Sequence, residues 1–358
     1  MALPEATSID ELLVEAVNNG ASDLHVECGI SPRYRKYGEL KDMPYADLTV
    51  DTTKKLLSPL MDAYARKKYD SVGQWDMAYQ IQGVGRFRVN IFRQKGAMSA
   101  VFRALTDDVP DFNELGLPLT VYNLSRKRRG LVLVTGPTGS GKSTTLASLI
   151  DIINKNYRKH IITLEDPIEY LHWHSRSNVS QREIGSDVDS FESGLRAALR
   201  EDPDVILVGE MRDLETMRTA LQAAETGHLV CSTLHTIGAA ETVNRILDTF
   251  PEKMHLQVRS QLTSILEAVV SQQLLPRADG KGYVCAYEIL TKSREVQHFI
   301  RDNDTEGLID YMSTEEAKSE GTCKMDDCII NLQRRGIITR DVALDYSIDR
   351  RYVSMNIR

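Results

Sequence analysis

Long hydrophobic runs and paired cysteines are missing from this 358-residue chain. No apolar run approaches the ~20 residues that a membrane-spanning helix needs, so we expect no transmembrane segment. The acidic start, Met1–Glu5, lacks the apolar core of a signal peptide, and we expect a cytoplasmic protein. The cysteines form no Cys-x-x-Cys pair, which argues against a disulfide framework or a zinc site. They are scattered as Cys28, Cys231, Cys285, Cys323 and Cys328.

An excess of basic charge is also missing, because the formal net charge is −7. Proteins that track along nucleic acid usually carry a basic surface, so we expect no nucleic-acid partner. The length exceeds that of one ordinary domain and predicts two or three. A hydrophobic content of 42% is typical of soluble globular proteins.

The first 105 residues predict a mixed α+β domain. Residues 8–19 place apolar side chains at helical spacing behind Ser8, a suitable N-cap. Residues 52–69 predict a second helix, and Gln82–Gly85 predicts a hairpin turn. The alternating segments predicted as strands of an antiparallel sheet are Asp23–Glu27, Tyr34–Lys36, Trp75–Ile81, Arg86–Phe92 and Ala97–Leu105.

Residues 106–118 predict a linker to a second domain, 119–358, because they contain two prolines, a glycine and three aspartates. The basic run Arg126–Arg129 follows. A solvated basic face is its simplest interpretation, and contact with a membrane or an acidic partner is the alternative.

Strands and helices alternate from residue 130 onward, which predicts a parallel α/β core. After about residue 250 the pattern becomes mainly helical, apart from a strand at Tyr283–Ile289, and a helical C-terminal region is expected from about 290. The predicted strands are 131–135, 160–165, 204–209 and 228–233, and the predicted helices are 142–154, 190–201, 214–225 and 238–247.

A complete phosphate-binding loop lies between the first of these strands and its helix. This context is what the motif requires, although a glycine-rich turn with an incidental lysine is the alternative. We expect Lys142 to reach the β- and γ-phosphates of ATP and the Ser143 hydroxyl to bind Mg²⁺. The residues expected to bind nucleotide are Gly136, Pro137, Thr138, Gly139, Ser140, Gly141, Lys142, Ser143 and Thr144.

The strand at 160–165 delivers two adjacent carboxylates, Glu165 and Asp166, and Pro167 stops its continuation. One carboxylate can orient an attacking water while its neighbour holds the water shell of the metal, and we expect Glu165 to be catalytic. An acidic helix cap is the alternative interpretation.

A third acidic group, Glu210, follows the apolar strand at 204–209. This strand has the character of a Walker B element, but glycine takes the place of the usual aspartate. We therefore expect Glu210 to face Mg²⁺ and Gly209 to allow close backbone approach beside the phosphates. A buried strand with a charged end is the alternative.

Two histidines, His228 and His235, flank the last of these strands, so both could lie at the level of the nucleotide. A lone histidine is more often structural, and neither has metal-ligand spacing with a partner. The block Thr226–Thr236 as a whole favours His235 as a sensor of the γ-phosphate.

Four blocks in this order and spacing resemble the Walker A, Asp box, Walker B and His box of the secretion ATPases, the family that powers type II secretion, type IV secretion and type IV pili. They are Gly136–Ser143, Thr163–Tyr170, Asp204–Asp213 and Thr226–Thr236. The resemblance covers nearly the whole chain and implies a PAS-like α+β domain followed by a RecA-like ATPase domain. Ser22–His25 resembles the start of that PAS-like domain.

The same resemblance assigns a role to two arginines of the first domain. Arg88 and Arg103 align with the arginines that relatives present to the γ-phosphate of ATP. Arg86 and Arg88 are predicted on one face of their strand, opposite Phe87. A solvated sheet face is the alternative for Arg86 and for Arg93.

Within the family, the chain resembles the type IV pilus retraction ATPases of the PilT and PilU type. It begins at the PAS-like domain and lacks the Cys-x-x-Cys insert usual in extension and secretion motors. Ser180–Gly185, Gln272–Pro276 and Asp279–Gly282 resemble PilU, whereas Leu199–Asp204 and Gly209–Asp213 resemble PilT. A motif that PilT proteins carry near their end is largely replaced at 296–302.

The resemblance implies a Mg²⁺-dependent homohexameric motor with ATP between its two domains and beside the next subunit. Hydrolysis would be coupled to domain movement about the linker and would drive pilus retraction and twitching motility. The implied partners are an inner-membrane platform protein of the pilus machine and a paralogous retraction ATPase, with peripheral association at the inner membrane. An extension or secretion motor and an accessory subunit with weak intrinsic activity are the two alternatives.

Overall fold

The computed structural model describes residues 3–105 and 109–357. The chain divides into two compact units, Met1–Asp108 and Val109–Arg358. This division falls inside the predicted linker 106–118, of which residues 106–108 lie outside the described part. The domain limits predicted at 105 and 119 remain predictions.

The first unit is built on a six-stranded antiparallel sheet with the strand order β3-β2-β1-β6-β5-β4. Ser8 caps the first helix, as predicted, because its side chain accepts from the Glu11 N–H. Apolar side chains of the helices and of one sheet face form the core. The elements are α1 (Ile9–Asn18), β1 (Asp23–Val26), β2 (Arg33–Lys36), β3 (Glu39–Asp42), α2 (Val50–Leu57), α3 (Ala63–Val72), β4 (Gln74–Ile81), β5 (Gly85–Gln94) and β6 (Ala97–Leu105).

Two predictions for this unit were wrong. The single helix expected at 52–69 is two helices, because a 3-10 turn with Pro59 follows α2 and Asp62 then caps a new helix through the Ala65 N–H. Strand β3 was missed, and all four of its residues are exposed at the sheet edge. An edge strand in water needs no apolar alternation, so its sequence carries little signal.

The second unit is built on a seven-stranded sheet with the order β13-β12-β7-β11-β10-β8-β9. All neighbours pair in parallel except β12 and β13, which are antiparallel. Its elements up to the end of the sheet are α4 (Leu119–Leu124), β7 (Gly130–Thr135), α5 (Lys142–Asn156), β8 (His160–Glu165), β9 (Asn178–Glu183), α6 (Phe191–Ala198), β10 (Val205–Val208), α7 (Leu214–Glu225), β11 (Leu229–Leu234), α8 (Ala239–Thr249), α9 (His255–Ile265), β12 (Leu266–Pro276) and β13 (Tyr283–Thr291).

The end of the chain is helical, and Cys323 makes one isolated bridge with Ile289 of β13. Its helices are α10 (Arg294–Asp302), α11 (Thr305–Tyr311), α12 (Glu315–Ser319), α13 (Met325–Arg334), α14 (Arg340–Asp345) and α15 (Arg350–Asn356). Across 3–105 and 109–357, no helix is both long and apolar enough to cross a bilayer.

The predicted fold class is confirmed, since the chain is a mixed α/β protein with a P-loop sheet whose strands are parallel apart from β13. The expectation of mostly helix after residue 250 was wrong in one respect, because β12 enters the sheet beside β7. Strand β9 was also missed.

Strand β7 explains where the functional loop lies. All of its side chains are buried, and they alternate between two cores: Leu131 and Leu133 pack on one side of the sheet, and Val132 and Val134 on the other. Layers on both faces leave only the strand ends open to ligands. The carboxyl ends of β7, β8, β10 and β11 meet at one edge of this parallel sheet.

Candidate functional site

The phosphate-binding loop connects β7 to the 15-residue helix α5, which begins at Lys142. Gly136 must be glycine, because a Cβ there would lie 2.3 Å from the carbonyl oxygen of Gln272 and 2.6 Å from Ser140 Oγ. Its φ of 139° also lies in the region that favours glycine. The loop is therefore pressed tightly against β12, the strand that the sequence did not reveal.

The amino end of α5 suits an anion. No side chain caps it within the described residues, so its first amides lack a side-chain acceptor. Ser143 is exposed there, as are Pro137, Thr138 and Gly139. Free amides and the helix dipole together attract phosphate, so the residues present fit a nucleotide phosphate.

Lys142 is buried at the same point, and its ammonium group donates to the carbonyl oxygens of Gly136 and Pro137, at 2.9 Å each. Burial lowers the pKa of Lys142, while the negative charges of Glu210 and Glu169 act in the opposite direction. These two interactions place the Walker B acid and an acid of the Asp box within electrostatic reach of the loop lysine.

Glu165 ends β8 and is held by three donors. Its Oε1 accepts from Thr163 Oγ1 at 2.6 Å and from Gln181 Nε2 at 3.2 Å. Burial raises the pKa of Glu165, and these hydrogen bonds, with one from the Glu169 backbone, lower it in part. A carboxyl group with a raised pKa and fixed orientation suits a general base.

Glu210 lies just beyond the end of β10 and is largely buried. Its Oε2 forms an ion pair with Arg212, 2.6 Å from Arg212 Nε, and lies 3.6 Å from His235 Nε2. The acid that follows β10 and the histidine that follows β11 therefore lie side by side. Arg212 was not predicted as a site residue.

Gly209 does allow close backbone approach, but the neighbour it contacts is β8. A Cβ at Gly209 would lie 3.2 Å from the carbonyl oxygen of Leu164. The Gly209 N–H donates to that same oxygen at 2.8 Å. The glycine thus brings the ends of β8 and β10 together, and with them Glu165 and Glu210.

The two histidines lie at opposite ends of β11. His235 follows the carboxyl end and is about half exposed. His228 precedes the amino end, where its ring bonds to the carbonyl oxygen of Ala223 at 2.9 Å. The expectation that both could lie at nucleotide level was therefore wrong for His228, because a parallel strand carries its ligands at only one end.

Thr144 connects the start of α5 to the Asp box. Its hydroxyl lies 2.9 Å from the hydroxyl of Tyr170, which belongs to the loop after Glu165. Tyr170 and the donors Thr163 and Gln181 were not predicted as site residues. Thr163 could have been identified from the sequence, because residues two apart in a strand lie on the same face and Thr163 therefore lies beside Glu165.

A metal ion at this site would need water or phosphate ligands in addition to protein side chains. The described ranges contain no cluster of three or more histidine, cysteine, aspartate or glutamate side chains able to hold a metal. Mg²⁺ commonly takes one or two protein oxygens, waters and substrate phosphates. The exposed hydroxyl of Ser143 and the carboxylate of Glu210 fit that requirement.

Arg88 and Arg103 are directly opposite each other on β5 and β6. Arg103 Nε donates to the buried carboxylate of Asp23 at 2.9 Å. Arg88 is exposed, and Phe87 beside it is buried, as the alternation predicted. The two guanidinium groups therefore differ, because only Arg103 is anchored by an ion pair within the described residues.

The family model described as type II/IV secretion system protein matches residues 3–305. The chain is 43% identical over 335 residues to the Pseudomonas aeruginosa protein named type IV pilus retractation ATPase PilT, covering 94% of this chain and 96% of that protein. It is 37% identical over 338 residues to the type IV pilus ATPase PilU of the same organism, covering 94% and 88%.

A solved structure is similar over the same extent. The crystal structure of the pilus retraction motor PilT with bound ADP superimposes with a TM-score of 0.91 at 45% identity, covering 98% of this chain and 100% of that one.

Proposed function

Because the chain belongs to the type II/IV secretion system protein family, we propose that it is an ATPase motor that retracts a type IV pilus. The observation that supports this most is the meeting of four motifs at one sheet edge. The charges of Glu210 and Glu169 act on Lys142, Glu210 lies beside His235, and Gly209 joins the ends of β8 and β10.

Each side chain then has a task in hydrolysis. Lys142 and the amides at the start of α5 bind the β- and γ-phosphates. Glu165 accepts a proton from the attacking water, and its raised pKa makes it a stronger base than an exposed glutamate. His235 donates to the γ-phosphate and thereby reports its presence to the Walker B acid.

The proposal includes Mg²⁺ held by Ser143 and Glu210. Held by these two residues, the ion would supply positive charge against the phosphates. Arg88 and Arg103 complete the charge stabilisation, as the family resemblance implies. Arg212 Nε and His235 Nε2 both lie near the same Glu210 oxygen, Oε2, so the ion would be held by Oε1 or would replace Arg212.

The assembly we propose is a homohexamer that acts on an inner-membrane platform protein and cooperates with a paralogous retraction ATPase. A head-to-tail contact can close into a ring, and closure gives every subunit the same neighbour. Domain movement during the ATP cycle then repeats around the ring.

The deciding experiment deletes the gene and counts surface pili. A retraction motor predicts cells with abundant pili that do not twitch, whereas an extension motor predicts cells without pili. Complementation with wild type should restore twitching, complementation with Lys142→Ala should not, and the exposed-site control Glu316→Ala should behave as wild type. Loss of pili on deletion would contradict the proposal.

The accessory alternative is tested separately by steady-state turnover of the purified protein. We expect intrinsic ATP hydrolysis, because Lys142, Glu165 and Glu210 are all present at the site. Turnover that appears only after a second retraction ATPase is added would favour the accessory role.

A further inference from the structure

The side-chain amide of Gln181 uses both of its polar atoms at the catalytic edge. Gln181 lies on β9, the edge strand beside β8. Its Nε2 donates to Glu165 Oε1 at 3.2 Å and to the carbonyl oxygen of Tyr170 at 2.9 Å. Its Oε1 accepts from the His172 N–H at 2.7 Å. One side chain therefore contacts Glu165 and two backbone groups of the loop that follows it.

That loop also reaches the phosphate-binding helix. The hydroxyl of Tyr170 lies 2.9 Å from the hydroxyl of Thr144 in the first turn of α5. Gln181 binds the backbone of the same tyrosine. These contacts link the loop to α5 on one side and to β9 on the other, where Glu183 also accepts from the Ile168 N–H at 3.1 Å. Glu165 lies where the loop begins.

The orientation of Glu165 depends on few groups. Thr163 shares its strand and therefore moves with it, whereas Gln181 belongs to a different strand. The Glu169 N–H is part of the loop that Gln181 holds. Among the residues that the structure describes, the amide of Gln181 connects the carboxylate of Glu165 to a neighbouring strand of the sheet.

We propose that Gln181 is a positioning residue for hydrolysis, which sets the direction of the Glu165 carboxylate and couples it to the loop that contacts α5. The inference rests on the proposed role of Glu165 as the base. Gln181 acts through Glu165 and need not touch substrate. A displacement of about 1 Å in a reacting group can cost on the order of 10²-fold in rate. Loss of the Gln181 hydrogen bond should therefore reduce turnover strongly.

The test replaces Gln181 with methionine, which keeps the length of the side chain and removes all three hydrogen bonds. We expect kcat for ATP to fall at least about tenfold, while KM and the affinity for a fluorescent ADP stay within about twofold, because phosphate binding uses α5. The control Asn178→Met places the same side chain at the exposed start of β9 and should leave all three values unchanged.

The pH profile separates positioning from a purely structural role. Glu165 faces Thr163, Gln181 and the like charge of Glu169. Removing a donor disfavours the carboxylate, so the pKa of Glu165 rises and the acidic limb of the kcat profile moves to higher pH. Gln181→Glu keeps the acceptor for the His172 N–H but adds a second carboxylate, and it should move the limb in the same direction.

The outcomes separate this inference from the proposed function. Near-normal kcat in Gln181→Met, or reduced kcat with an unmoved acidic limb, overturns the positioning role. If Gln181→Met does not fold, the same two criteria apply to Gln181→Glu. Substantial turnover in Glu165→Gln, measured in parallel, overturns the role of Glu165 itself and thereby the proposed chemistry.

Discussion

Replacing Glu165 by glutamine isolates its chemical role, because the structure tolerates the change. The two side-chain donors, Thr163 and Gln181, meet the same oxygen, Oε1. The carbonyl oxygen of a glutamine can accept both of these hydrogen bonds. Only the bond from the Glu169 backbone is at risk, and a single hydrogen bond of this kind contributes about 1 kcal/mol.

Stability should change little, and the sign follows from the pKa. Burial raises the pKa of Glu165, so the folded protein holds this proton at a pH where the unfolded chain has released it. Stability therefore falls as pH rises from the ordinary glutamate pKa through the raised one. Glu165→Gln removes this pH-dependent loss of stability, and the gain offsets the missing hydrogen bond. We expect a Tm within about 4 °C of wild type at neutral pH.

Turnover should collapse in the same variant. A positioned general base contributes about 10²–10⁴ in rate, or roughly 3 to 5 kcal/mol of barrier. The assay measures phosphate release, fluorescent ADP affinity and thermal unfolding on one preparation. Turnover above about a tenth of wild type would refute the role of Glu165 as the base. A collapse of ADP affinity with unchanged Tm would instead show that Glu165 serves binding.

The remaining predictions concern the loop and the arginines. Lys142→Ala should reduce ATP turnover below a tenth of wild type. Its Tm should fall modestly, because two hydrogen bonds to loop carbonyls are lost. Turnover above a tenth of wild type would show that catalysis occurs elsewhere. Gly136→Ala should lower both Tm and ADP affinity, because its methyl group would overlap the Gln272 carbonyl, and unchanged values would contradict the packing. Arg88→Ala should cut turnover at least about tenfold at constant Tm and ADP affinity, since arginine fingers contribute 10³–10⁵ in rate. Arg103→Ala should do the same but also lower Tm, because the buried carboxylate of Asp23 loses its partner; near-normal turnover in both variants would remove the arginines from the mechanism.

The parallel core could be predicted because its strands are short apolar runs between strong helix and turn signals. Strand β12 gave no such signal. Its sequence, Leu266–Pro276, contains residues that favour helices as readily as strands, and it follows α9 without an intervening turn residue. Pairing with β7 on one side and β13 on the other selects the extended form. Long-range pairing of this kind overrides local propensity.

Site residues could be predicted where a motif residue itself supplies the reactive group. They were missed where a residue acts only through its position beside another residue. Lys142 begins the helix that follows β7, and Glu165 and Glu210 lie at strand ends, all inside recognisable motifs. Gln181 lies on a polar edge strand without apolar alternation, and its role depends on the pairing of β8 with β9. The position of His228 was predicted wrongly, because the direction of β11 decides which of its ends lies at the ligand edge of the sheet.

The position of β7 between β11 and β12 has a consequence for biosynthesis. The chain is made from its amino end, so β7 emerges before both strands that will cover its edges. Until Leu266–Pro276 has been synthesised, one edge of the loop-bearing strand has no partner, and an uncovered apolar edge invites pairing between chains. A fragment that stops at Ile265 keeps every residue from Gly136 to His235 and should nevertheless aggregate, because the loop depends on a strand made long after it.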